Sequence, residues 1–96
     1  MTVREHVRVL RREILQAAEA NGARRVRLFG SAARGQDTGS SDVDLLVALE
    51  PGRTLLDLAR LEGHLERLLN RAVDVVPESG LREPFRTAVL RDAVDV

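Results

Sequence analysis

Residues 26–49 read VRLFGSAARGQDTGSSDVDLLVAL. The apolar run Val26–Phe29 stops at Gly30-Ser31, a polar segment follows, and Asp42 and Asp44 open a second apolar run that reaches Leu49. Alternation along a strand sends residues two apart to one face, so Asp42 and Asp44 point together and Val43 points away. Two like charges at the mouth of an oily strand are unfavourable unless a cation or hydrogen-bond donors compensate them. Beyond Asp44 the strand is apolar on both faces, which predicts a central position in a sheet.

The rest of the chain supplies a frame for these two strands. On the N-terminal side, Thr2-Val3-Arg4-Glu5 fits a capping box, and Val3, Val7, Leu10, Ile14 and Ala17 or Ala18 repeat at helical spacing. The spacing predicts one helix from about Val3 to Ala20, stopped by Asn21-Gly22. Ser31–Arg34 reads as a helical turn that begins at Ser31 and ends at Gly35, and residues 36–41 as a polar loop. Glu50-Pro51-Gly52 is a turn. Thr54–Asp57 offers a second cap, followed by a leucine stripe from Leu55 to Leu69. Ala72–Val76 is a third strand carrying Asp74. Pro84 suits the first turn of a last helix to about Arg91, and Ala93–Val96 fits a fourth, edge strand. This order predicts one α/β or α+β domain over residues 1–96, a small mixed sheet with helices packed on one face.

Composition narrows the functional classes. Ninety-six residues, 44% of them hydrophobic and 31% charged, describe a globular chain with one modest core. No apolar run is long enough to span a membrane, and the N-terminus does not read as a signal peptide; a cytoplasmic location fits. The absence of Cys excludes disulfides and thiolate metal sites. A net charge of +0 and two aromatics, Phe29 and Phe85, give no support to direct nucleic-acid binding. All 15 basic residues are Arg, which removes the lysine-containing phosphate loop and Schiff-base chemistry. Arginines do gather in the N-terminal third, but interspersed glutamates make a solvated helix face the simpler account.

Three pieces carry candidate chemistry. Gly30 lets a ligand approach the backbone, and Ser31 adds a hydroxyl beside N–H groups suited to anions. By itself this dipeptide reads more simply as a strand-to-helix turn with Ser31 as its N-cap. Asp42 and Asp44 suit Mg2+, which takes a few carboxylate oxygens together with phosphate oxygens. Alone, they read equally as a loop cap and a solvent-facing edge residue. Asp74 joins them if its strand pairs beside that of Asp44, where it is placed to accept the proton of an attacking hydroxyl. Otherwise it is an ordinary solvent-facing alternation.

Taken together, Gly30-Ser31-Ala32-Ala33-Arg34-Gly35, then Ser41-Asp42-Val43-Asp44-Leu45-Leu46-Val47, then Asp74, resemble the minimal nucleotidyltransferases of the DNA polymerase β-like nucleotidyltransferase superfamily. The resemblance implies that Gly30 and Ser31 bind the β- and γ-phosphates of ATP or another nucleoside triphosphate. It implies that Asp42 and Asp44 ligate two Mg2+ ions and that Asp74 ligates the one nearer the nucleophile. Arg34 either reaches a phosphate or fixes its loop by a salt bridge, since arginine suits both uses. Small proteins of this family resemble the antitoxin halves of toxin–antitoxin pairs whose partner is a HEPN-type ribonuclease toxin, and some members transfer AMP to a tyrosine of that toxin. The present chain has no Tyr, so protein AMPylation in trans is the expectation. The alternative is a binding antitoxin that masks its toxin, for which Leu55-Leu56 and Leu68-Leu69 widen the stripe beyond the need of one core, unless that helix is buried on both faces or wrapped at its ends. An exposed last strand leaves room for pairing into an oligomer.

Overall fold

The computed structural model describes residues 1–37 and 42–96. Four strands form one mixed sheet: β1 (Ala23–Phe29), β2 (Val43–Leu49), β3 (Val73–Pro77) and β4 (Val94–Asp95), in the order β3-β2-β1-β4. β2 is central, as its two-sided apolar pattern requires. It runs antiparallel to β1 and parallel to β3, and β1 is flanked by a short antiparallel β4. The expected tip of the polar loop, residues 38–41, lies outside the described residues.

Alternation divides the sheet into two faces. Val26 and Leu28 of β1, Val43, Leu45 and Val47 of β2, and Val73 and Val75 of β3 are buried on one face. Against them pack Ile14, Ala17 and Ala18 of α2 (Arg11–Ala20) and Leu58, Leu61, Leu65 and Leu69 of α4 (Leu55–Leu69). Each fully buried leucine contributes about 1.5–3 kcal/mol of transfer free energy. The second face carries Arg27, Phe29, Asp44, Leu46, Asp74 and Val76. Its centre is covered too: Leu46 is 0% exposed, yet it stands outside the main core cluster. An ion pair between Arg27 and Glu78 spans that face from β1 to the 3-10 turn Glu78–Gly80 after β3.

The N-terminal segment corrects one expectation. The single helix expected over about Val3–Ala20 is two, α1 (Val3–Val9) and α2, broken at Leu10 with φ −97° and ψ 15°. No Pro or Gly marks the break. The bonds from Leu10 N–H to His6 O and from Ile14 N–H to Leu10 O persist across the break. β-Branched Val3, Val7 and Val9 weaken α1 slightly, and its position comes from tertiary contacts. Thr2 Oγ1 accepts from Glu5 N–H at 3.1 Å, and Asp37 Oδ2 accepts from Val3 N–H at 3.0 Å, tying α1 to the segment that follows Gly35. By contrast, the capping box expected at Thr54–Asp57 is present in full, and Asn70 ends α4 in the left-handed region at φ 54°.

Candidate active site

The site forms where β1 ends, α3 (Gly30–Ala33) begins and β2 and β3 start. α3 includes Gly30, and its N-cap position is Phe29, so Ser31 lies inside the turn and is not the cap that the simpler reading made it. Gly30 has φ +75°, a conformation that disfavours any residue with a Cβ. It also lies against Asp44: a Cβ added at Gly30 would sit 2.5 Å from Asp44 Oδ2. Phe29 and Asp44 are register partners, which is why the glycine that follows meets this carboxylate. After α3, Gly35 N–H bonds to Ala32 O and Gln36 N–H to Ser31 O, closing the turn as expected.

Asp44 and Asp74 are register partners on neighbouring parallel strands. Side chains directly across a ladder share a face, so Asp74 stands beside Asp44 and not across the sheet from it. Asp44 is half-buried, whereas Asp42 and Asp74 are exposed. Burial first, and then the charges of Asp74 and Asp42, push the Asp44 carboxyl above the usual carboxylate range, against a smaller opposing effect of Arg34. Asp44 thus feels both other acids, although Asp74 lies 30 positions further along the chain.

The fit to a divalent cation rests on three features. The donor set is oxygen only, as a hard cation requires. Asp44 carries a crowded negative charge that a cation would relieve. Gly30 leaves open the space in front of Asp44 that any other side chain would fill. Among the described residues no three acidic or histidine side chains are gathered tightly enough to form a ready-made cage. Mg2+ does not require a complete protein shell, since it keeps positions for water and phosphate.

Of the two uses weighed for Arg34, the structure displays the ion pair, but with a different element from the one expected. Arg34 Nη1 donates to Asp92 Oδ2 at 2.7 Å, at the end of α5 (Phe85–Asp92), and Nε donates to Gln36 Oε1 at 3.0 Å. Asp92 is thus a residue of the site's surroundings that sequence reasoning missed. No local signal marks it, because its partner lies 58 positions away. Glu62 and Glu66 were also missed: on the polar flank of α4, they reach the main chain on either side of Asp74.

Comparison with known proteins agrees with the fold. A 38% identical relative over 100% of this chain and 97% of its own length is the protein adenylyltransferase MntA of Thermococcus cleftensis. A 35% identical relative from Methanocaldococcus jannaschii, named as a candidate protein adenylyltransferase, covers 95% of this chain and 98% of its own. A solved structure of a candidate minimal nucleotidyltransferase, 50% identical, superposes with a TM-score of 0.87 over 100% of this chain and 97% of that one. A toxin–antitoxin crystal structure with AMP-PNP shares the fold at TM-score 0.76 and 21% identity, over 88% of this chain and 69% of that one. The family model of the nucleotidyltransferase domain matches residues 8–95, and the chain belongs to that family.

Proposed function

We propose that the chain transfers AMP from ATP to a hydroxyl of a partner protein, the HEPN-type toxin of a toxin–antitoxin pair, and so acts as the antitoxin. The observation that carries the reading is the pairing of Asp44 with Asp74 across parallel strands, in front of a glycine that only an absent side chain could fit. The names of the relatives as protein adenylyltransferases support the reaction class, and the AMP-PNP in a toxin–antitoxin neighbour supports the nucleotide and the kind of partner. The missing Tyr places any tyrosine acceptor on another chain. No helix among the described residues is long and apolar enough to cross a membrane.

In this reading Gly30 and Ser31 receive the β- and γ-phosphates, the glycine by close approach of its main chain and the serine through its hydroxyl. Asp42, Asp44 and Asp74 would hold two Mg2+ ions, which would supply positive charge to the phosphoryl transfer. Asp74 accepts the proton of the acceptor hydroxyl as its oxygen bonds to the α-phosphorus. The bond from that phosphorus to the bridging oxygen breaks, and pyrophosphate leaves with the electron pair. The protein's contribution is positioning and charge compensation. Arg34, anchored on Asp92, fixes the loop and tempers the negative charge at Asp44.

Incubation with labelled ATP, Mg2+ and the product of the neighbouring gene tests the proposal. Label should appear on the partner, and Asp44→Ala should abolish it with the fold retained. Absence of label with every nucleotide removes the reading. A second reading, neutralisation by masking, is favoured by Leu55 and Leu56, which are 80% and 58% exposed at the start of α4. An Asp42→Ala/Asp44→Ala chain that still neutralises the toxin would decide for masking.

A further inference from the structure

Asp74 sits on an edge strand, with β2 on one side and, among the described residues, no strand on the other. A strand held from one side frays and slips, and a slip of one residue would turn Asp74 to the opposite face. The ladder to β2 uses alternate residues of β3. The bond from Val43 N–H to Ala72 O starts that alternation, so the N–H groups of Val73 and Val75 point outward. An edge strand usually leaves such donors to water. Here both are taken: Val73 N–H donates to Glu66 Oε2 at 3.2 Å, and Val75 N–H donates to Glu62 Oε2 at 3.0 Å. The two glutamates are one turn apart on α4, so their carboxylates are offset along the strand in step with the two N–H groups.

We infer that Glu62 and Glu66 are positioning residues for Asp74, acting as a substitute for the missing neighbouring strand. Their two bonds bracket Asp74 from its N-terminal and C-terminal sides, while β2 holds it from across the ladder. The β3 backbone is thereby tied at three successive residues, and the Asp74 carboxylate keeps its place opposite Asp44. A guard against edge-to-edge association would use the same glutamates, but it would not require both to end on the residues that flank a site carboxylate. The kinetic part of this inference rests on the proposed nucleotidyl transfer; the structural part does not.

Three chains decide it: wild type, Glu62→Ala/Glu66→Ala, and Glu62→Gln/Glu66→Gln. The glutamine pair keeps a carbonyl acceptor on each side chain. In the alanine pair, amide hydrogen exchange at Val73 and Val75 should accelerate, and kcat for transfer should fall about 10- to 100-fold, the range met when residues that orient metal ligands are removed. KM for the nucleotide should stay within about twofold, because the phosphate side of the site is untouched. The glutamine pair should restore slow exchange and kcat together. Faster exchange with unchanged kcat overturns the inference, and so does unchanged exchange. If the alanine pair fails to fold, Glu66→Ala alone gives the same readings at Val73. If the wild-type chain transfers nothing, the proposed function fails, and Mn2+ affinity takes the place of kcat. Affinity lost in the alanine pair and regained in the glutamine pair then supports positioning, and equal affinity in all three chains refutes it.

Discussion

Gly30→Ala separates two consequences of the glycine that usually travel together. Gly30 has φ +75°, and its missing Cβ would lie 2.5 Å from Asp44 Oδ2. Gly35, five residues on, has φ +71° with nothing within 4 Å of an added Cβ. Alanine in the left-handed region costs roughly 1–2 kcal/mol at either position. For a domain of this size, each kcal/mol lowers Tm by about 4–8 °C. Gly35→Ala should show that loss alone and keep its transfer activity. Gly30→Ala should show it too, and must also drive the Asp44 carboxylate away from the glycine. Displacement of a reacting group by about 1 Å is worth on the order of 100-fold in rate. Thermal unfolding of both variants beside labelled-AMP transfer makes the comparison. If Gly30→Ala transfers at the rate of Gly35→Ala, the contact between Gly30 and Asp44 has no bearing on function and the reasoning fails.

Four other outcomes follow from the structure. Asp44→Asn should raise Tm in metal-free buffer at neutral pH, since burial and the charges of Asp74 and Asp42 make its ionised form unfavourable in the fold, and transfer should be lost; a lower Tm would contradict this. The hydrogen bond from Thr54 N–H, and then nearby arginines, hold the Asp57 carboxyl below the usual carboxylate range, so its stabilisation is present above the unfolded pKa of about 3.9 and is lost as pH falls through the lower folded value. Urea unfolding from pH 7 into that acid range should therefore be less pH-dependent in Asp57→Asn than in wild type. Asp92→Asn breaks a partly exposed ion pair, which should cost about 0.2–1 kcal/mol in urea unfolding. If Arg34 acts through Asp92, Arg34→Ala and Asp92→Asn will weaken nucleotide affinity equally and the double variant no further, whereas a larger loss in Arg34→Ala would assign the guanidinium to a phosphate.

The parts of the site that lie close in the chain were legible in it. Asp42 and Asp44 are two apart where the second apolar run begins, a spacing that alternation would turn to one face, but β2 itself starts at Val43 and includes only Asp44. Gly30 stands where an apolar run ends, and its neighbours Ala32 and Gly35 close the turn. The Thr54–Asp57 box and the leucine stripe of α4 follow from local spacing as well. What was not legible depends on distant partners. Whether Asp74 faces Asp44 turns on β3 running parallel to β2 in one register, which spacing alone leaves open. Asp92 reaches Arg34 only after α5 has been laid beside α3, and Glu62 and Glu66 find the β3 edge only after α4 has packed on the sheet. The break at Leu10 has no Pro or Gly to announce it, so continuous periodicity predicted one helix where there are two.

The most direct measurement is a crystal structure of the chain with Mg2+ and a non-hydrolysable ATP analogue. Magnesium is expected at about 2.0–2.1 Å from carboxylate oxygens of Asp42 and Asp44, its usual ligand distance, with Asp74 turned to the same ions and the triphosphate against Gly30 and Ser31. A triphosphate bound elsewhere on the sheet, or a cation that leaves Asp74 facing solvent, would contradict the account.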